Sequence, residues 1–213
     1  MSQSSVAPNP TAGLERLLQL AAAQSLTPDC DHFFFLRHGQ TECNAQRILQ
    51  ATSEPLNATG LSQAQHAAGL LADQRIASIV ASDVRRARDT AEMVAARHLL
   101  APILNSGLRE RDFGKLIGTS SRDIDWGCEP EAGETLELFI DRSRAGLGLA
   151  LAQPAPVLLV AHGGTLYALA GLLGVVLDRT LLGNAQPLRF DRHGEAWRVT
   201  ALAASATTGT NLA

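Results

Sequence analysis

"FFFLRHGQTECN", Phe33 to Asn44, runs four apolar residues straight into an arginine, a histidine and a glycine. The apolar run is a candidate buried strand. The polar end has two readings: a plain strand terminus where the chain leaves the core, or the edge of an active site with the strand as its rigid mount. "LLVAHGG", Leu158 to Gly164, repeats the arrangement far downstream, again delivering a histidine followed by glycine. In open α/β sheets, ligands gather in crevices at the carboxyl ends of strands. Glycine there lets backbone approach a ligand without a Cβ clash. One histidine at a strand end is ordinarily structural; a matched pair points to a site.

Working outward from these strands, residues 1–10 are polar and proline-containing and read as a disordered tail. Leu14, Leu17, Leu18 and Ala21 recur at helical spacing, so residues 11–30 read as an N-terminal helix or arm. It either packs on the domain or offers its apolar face to a partner, with a homodimer left open. Residues 31–203 form the main domain, and 204–213 a loose tail. Within the domain, His32–Leu36 is the first strand, followed by an irregular stretch to about Thr59. Ser62 and Gln65 form a capping-box pattern for a helix. "IASIVAS" is a second strand, Val84–Leu99 an arginine-rich helix, and "APILNS" a third strand. Gly107–Gly133 reads as a long functional loop. Glu134 opens a helix lined by Leu136, Phe139, Ile140, Leu147 and Leu151. "PVLLVAH" is the cleanest buried strand and feeds an apolar helix, Thr165–Leu177. "PLRFDRHGEAWRVTAL" reads as a hairpin. Strands alternating with helices predict α/β, a three-layer αβα sandwich with a largely parallel central sheet.

Composition narrows the classes. The 213 residues suit one sizeable domain, and 46% hydrophobic with 18% charged residues is ordinary for a globular protein. A net charge of −3 argues against a broadly basic nucleic-acid surface. Cys30, Cys43 and Cys128 are far apart with no CxxC pair, so neither a disulfide framework nor a zinc site is signalled. The N-terminus lacks the pattern of a signal peptide and no apolar run is long enough to span a membrane, so a cytoplasmic location is expected.

A phosphate group would reward this layout, because its charge and acceptor oxygens suit arginine forks and imidazole donors. Arg37 sits beside His38, and Arg86 lies near the start of the helix in "SDVRRARDTA". Arg85 and Arg88 read as solvated or paired on the surface. "LRHGQTECN", "SDVRRARDTA", "LRERDFG", "AGETLELF" and "VLLVAHGG" together resemble, in order and approximate spacing, the histidine phosphatase superfamily. That superfamily includes cofactor-dependent phosphoglycerate mutases and many small phosphatases, and the likeness runs from about Phe33 to Trp197.

The resemblance implies a phosphoglycerate mutase-like fold and a two-step reaction through a phosphohistidine on His38. Arg37, Arg86 and His162 would hold the phosphoryl oxygens, Asn44 would reach phosphate with its amide, and Gly163 would bring backbone close to the substrate. Glu110, in "LRERDFG", would protonate the leaving oxygen and then activate water. No metal and no cofactor is expected, and the partner is a small phosphorylated metabolite rather than nucleic acid or membrane.

Three positions depart from the family's commoner pattern: Gln50-Ala51 where QG is common, Leu116-Ile117-Gly118 where an aromatic, a glutamate and a glycine are common, and Tyr167 where arginine is common. Each removes a substrate-side polar contact and leaves the substrate open. A phosphomonoesterase is favoured over a mutase, since the loop is modest in length and few basic residues follow Lys115. A non-catalytic binding member and a metal-dependent hydrolase are the remaining readings. The first has no use for Glu110, and the second lacks HxH or HxxxH spacing.

Overall fold

The computed structural model describes residues 10–203. The expected tails, 204–213 and all of 1–10 except Pro10, lie outside the described residues. Six strands form one sheet in the order β3-β2-β4-β1-β5-β6. They are β1 (His32–Arg37), β2 (Ser78–Ala81), β3 (Ile103–Leu104), β4 (Val157–Ala161), β5 (Pro187–His193) and β6 (Ala196–Ala201). β1 to β4 run parallel, and β5 and β6 add an antiparallel edge. A parallel strand covered on both faces must be apolar throughout. That is why β1 shows Phe33 to Leu36 and β4 shows Val157 to Ala161 without a polar interruption, all fully buried.

The side chains of β1 divide between two layers, as the strand period of two requires. Phe33 and Phe35 join a core with α1 (Pro10–Ala22), α5 (Leu136–Leu151) and α6 (Gly163–Leu173). Phe34 and Leu36 join a second core with α3 (Ala58–Leu71) and α4 (Arg85–His98). The architecture is thus the expected three-layer αβα sandwich. Leu17 and Ala21 of α1 are fully buried in the first core. Gly13 of the same helix is also buried and packs on the backbone of Gly127.

Some element boundaries differ from the sequence reading. α3 starts at Ala58, not Ser62, because Asn57 caps it by accepting from the Gly60 N–H at 2.8 Å. α6 starts at Gly163 and stops at Leu173, where Gly174 takes a left-handed conformation (φ 66°) suited to a residue without Cβ. The stretch called irregular contains a short helix, α2 (Glu42–Gln46), capped by Thr41. α5 is capped by Thr135 and starts at Leu136, two residues after Glu134.

Three adjacent strands end at one place. Arg37 of β1 is in register with Ala161 of β4, and Ala81 of β2 with Val160. The residues that follow, His38, His162 and Ser82, therefore emerge side by side from β1, β4 and β2. Backbone bonds hold this edge: the His38 N–H donates to Ala161 O (3.0 Å) and the Ser82 N–H to Val160 O (2.9 Å).

Candidate active site

His38 is 2% exposed and His162 fully buried, with ring centroids 5.1 Å apart. The Nδ1 of His38 lies 2.8 Å from the carbonyl oxygen of Gly39, which can only accept, so Nδ1 carries the proton. The Nε of Arg86 donates to His38 Nε2 at 3.2 Å, which requires a lone pair there. Two independent contacts thus select one tautomer, with Nε2 unprotonated and its lone pair available for attack once Arg86 turns to another acceptor. Burial pushes the His38 pKa well below the ordinary imidazole value, and the charges of Arg86 and Arg37 push it the same way. The ring is therefore neutral at neutral pH.

Gly39 clears a tight crossing. A Cβ there would overlap the carbonyl of Gly60, at the start of α3, and the Gly39 N–H donates to Thr90 Oγ1 of α4 at 3.1 Å. The loop after β1 is therefore pinned between two helices.

Arg86 faces the site, 3% exposed, with its Nη1 donating to Ala51 O at 2.9 Å. Burial lowers its pKa to about 10, which still leaves it charged at neutral pH. Arg37 donates from Nη1 to Leu182 O at 2.7 Å, while its buried Nε has no partner among the described residues. Arg85 and Arg88 lie on the outer face of α4, paired with Asp89 and Glu92.

His162 is held by a residue that the sequence reading passed over. Ser82 Oγ sits 2.9 Å from His162 Nε2 and also accepts from the Val84 N–H at 3.4 Å. When the hydroxyl proton points to Nε2, the imidazole proton resides on Nδ1, the arrangement that an anionic oxygen beside Nδ1 would select. That Nδ1 is buried with no partner among the described residues. It and Arg37 Nε are two unspent polar atoms of the kind an anionic oxygen satisfies. Ser82 was within view, as the first letter of "SDVRRARDTA"; its pairing with His162 depends on β2 and β4 being neighbours.

Glu110 reaches the same place. Its Oε2 accepts from the Gly164 N–H and its Oε1 from the Arg111 N–H, both at 3.0 Å. A Cβ on Gly164 would overlap Glu110 Oε1 and the Trp126 ring, so this glycine makes room for the carboxylate. Gly163 opens α6 beside the Arg37 guanidinium. Asn44 lines the cavity over His38, and its Oδ1 accepts from Asn184 Nδ2 at 3.3 Å. Asn184, which also donates to His38 O at 2.9 Å, lies in a loop before β5 that carries no recognisable motif.

The long loop is organised by buried arginine. Arg111, 3% exposed, donates to the carbonyls of Glu134, Trp126 and Cys128. Arg142 grips both oxygens of Glu134 at 2.7 Å and donates to Glu110 O at 3.2 Å. A cavity of about 130 Å³ lies over His38, walled by Phe113, Ile117 and Trp126 among others. A second, of about 410 Å³, shares Gln50, Arg86, Glu110, Arg111 and Ile117 with it. Among the described residues no cluster of three or more His, Cys, Asp or Glu side chains is placed to hold a metal ion.

Paired histidines and arginines at the carboxyl edge of a mostly parallel sheet define an α/β protein with a buried His/Arg-lined site. The chain belongs to the histidine phosphatase superfamily (branch 1), whose sequence profile matches residues 33–205. A glucosyl-3-phosphoglycerate phosphatase of Mycolicibacterium vanbaalenii is 33% identical over 76% of this chain and 84% of its own. A probable phosphoglycerate mutase, GpmB, of Proteus mirabilis is 33% identical over 77% and 86%. The agropine synthesis reductase of Rhizobium rhizogenes is 34% identical over 78% of this chain, which spans only 41% of that relative's length. Among solved structures, a mycobacterial glucosyl-3-phosphoglycerate phosphatase complexed with VO3 superposes with a TM-score of 0.67 at 28% identity, covering 82% of this chain and 98% of the other. The fold is phosphoglycerate mutase-like.

Proposed function

We propose that this protein is a phosphomonoesterase that hydrolyses a small phosphorylated metabolite through a phosphohistidine on His38, without a metal ion. The observation that carries the reading is the double fixing of His38: Gly39 O takes the Nδ1 proton while Arg86 Nε faces the Nε2 lone pair. That tautomer presents an unprotonated Nε2 beside Arg86 and Arg37, the state a nucleophilic histidine needs. The presence of phosphatases among the relatives adds support.

In the first step His38 Nε2 attacks phosphorus, the bond to the leaving oxygen breaks, and Glu110 gives that oxygen its proton. Arg37, Arg86 and His162 Nδ1–H hold the equatorial oxygens, supplying the positioning and charge stabilisation on which phosphoryl transfer depends. Asn44 and the backbone at Gly163 complete the cradle. Glu110 then takes a proton from water as it attacks the phosphohistidine, and phosphate and free His38 result. Glu110 also weighs against a purely binding role, since binding alone needs no proton donor. The test is rapid quenching of turnover into base, where phosphohistidine survives, followed by peptide mass analysis. A phosphoryl adduct on His38 is expected, absent in His38→Asn. Turnover of para-nitrophenyl phosphate with no adduct in either wild type or Glu110→Gln would refute the covalent route.

A further inference from the structure

The two cavities differ in what they have left to offer. The smaller, at about 130 Å³, is well below the roughly 300–1,000 Å³ of ordinary small-molecule pockets. It suits the phosphoryl group, so the alcohol part of the substrate must extend into the neighbouring cavity of about 410 Å³. Beyond Arg86, that cavity is walled by three more arginines, and each is committed. Arg109 forms a two-pronged pair with Asp83, its Nε donating at 2.7 Å. Arg142 is forked onto Glu134 and three backbone carbonyls. Arg111 spends Nε and both terminal nitrogens on carbonyls. The carboxylates of Glu110, Asp112 and Glu134 face the same space, with Asp112 exposed at its rim. Ile117 adds an apolar surface, while Gln50, Thr52 and Ser106 add an amide and two hydroxyls. Gln50 Oε1 already accepts from Thr41 Oγ1 at 2.8 Å, which leaves its amide N–H groups as donors.

Resting on the phosphomonoesterase reading, we infer that the site takes esters of neutral, hydroxyl-bearing alcohols and discriminates against those whose alcohol part carries a carboxylate. Apart from Arg86, which the phosphoryl group takes, a carboxylate would meet no guanidinium left free for a two-pronged pair among the described residues, and it would face the Asp112 carboxylate at the rim; a neutral hydroxyl meets Gln50, Thr52 and Ser106. This separates the chain from the relatives that carry phosphoglycerate in their names.

Glycerol 3-phosphate and 3-phosphoglycerate form a matched pair, differing only in CH2OH against carboxylate. The expected kcat/KM ratio exceeds three in favour of glycerol 3-phosphate; a ratio of three or less overturns the inference. Asp83→Asn loosens Arg109, so it should raise kcat/KM for 3-phosphoglycerate at least threefold while changing glycerol 3-phosphate less than twofold. An equal change for both esters also counts against the inference. If not even para-nitrophenyl phosphate is hydrolysed, it is the phosphomonoesterase reading that fails. Calorimetric Kd values for the two esters on His38→Asn then judge the preference by the same threshold.

Discussion

Ser82→Ala removes a single oxygen from a fully buried position and leaves the catalytic side chains in place. The atom deleted is the partner of His162 Nε2 at 2.9 Å. A neutral buried hydrogen bond contributes roughly 0.5–1.5 kcal/mol net, and stranding its partner costs about 1–3 kcal/mol. The fold should therefore lose about 1–3 kcal/mol. At about 2–4 °C per kcal/mol for a domain of this size, the fall in Tm should be on the order of 2–12 °C. The effect on rate comes from the tautomer. If the Ser82 hydroxyl donates to Nε2, its loss frees the His162 proton to leave Nδ1, and a donor to the transferring phosphoryl group is lost in part of the population. If the weakened donor is worth about 1.4 kcal/mol in the transition state, kcat falls about tenfold with little change in KM. The assay is kcat on para-nitrophenyl phosphate, paired with 15N spectra of the His162 ring. Ser82→Thr keeps the hydroxyl and should recover most of the rate. A Ser82→Ala enzyme with kcat within twofold of wild type, or with its Nδ1–H signal unchanged, would refute the reasoning.

Three further outcomes are expected. Glu110→Gln should lower kcat/KM on an alkyl phosphate by about 10²–10⁴, the usual worth of general acid–base catalysis; the loss on para-nitrophenyl phosphate should be much smaller, because nitrophenolate leaves without a proton, and equal losses on both would remove the proton-donor role. Burial, the leading cause for both His38 and His162, holds their pKa values well below the ordinary one. The unfolded chain then binds protons that the folded one does not, so stability falls as pH drops below about 6.5, by about 1.4 kcal/mol per unit for each histidine. Urea midpoints at pH 7.0 and 5.5 should show His38→Asn losing one such increment of slope, and a variant with the wild-type slope contradicts it. Gly13→Val in α1 would overlap Gly127 N and Asp125 Oδ1, next to the Trp126 that walls the small cavity. KM for para-nitrophenyl phosphate should rise several-fold while the sheet core stays intact by circular dichroism; an unchanged KM would show that α1 does not support the site.

What could be read along the chain was whatever depends on near neighbours. The buried strands declared themselves because both their faces are covered, which forces unbroken apolar runs. The end of α6 did not, because the apolar residues after Gly174 continue the pattern while the backbone there already turns. α3 was read as starting late because the Ser62 pattern imitates a cap, while the residue that caps the helix, Asn57, lies five residues earlier. Arg86 carried no positional certainty in the motif, since helix phase alone does not say which arginine turns inward. Packing of α4 against the sheet does, placing Arg85 and Arg88 in solvent and Arg86 against His38.

By itself, the sequence determined the class of fold, the family, and the residue types gathered at two strand ends, because each is written in local pattern and spacing. Only the tertiary structure decided the order β2-β4-β1, and with it the row Ser82, His162, His38. Strand order is set by which hydrophobic faces pack together across the whole sheet, a property that no short segment carries. The same holds for Arg109, Arg111 and Arg142. In sequence they are three positive charges near a phosphate site; in the fold each is already bound to its own protein.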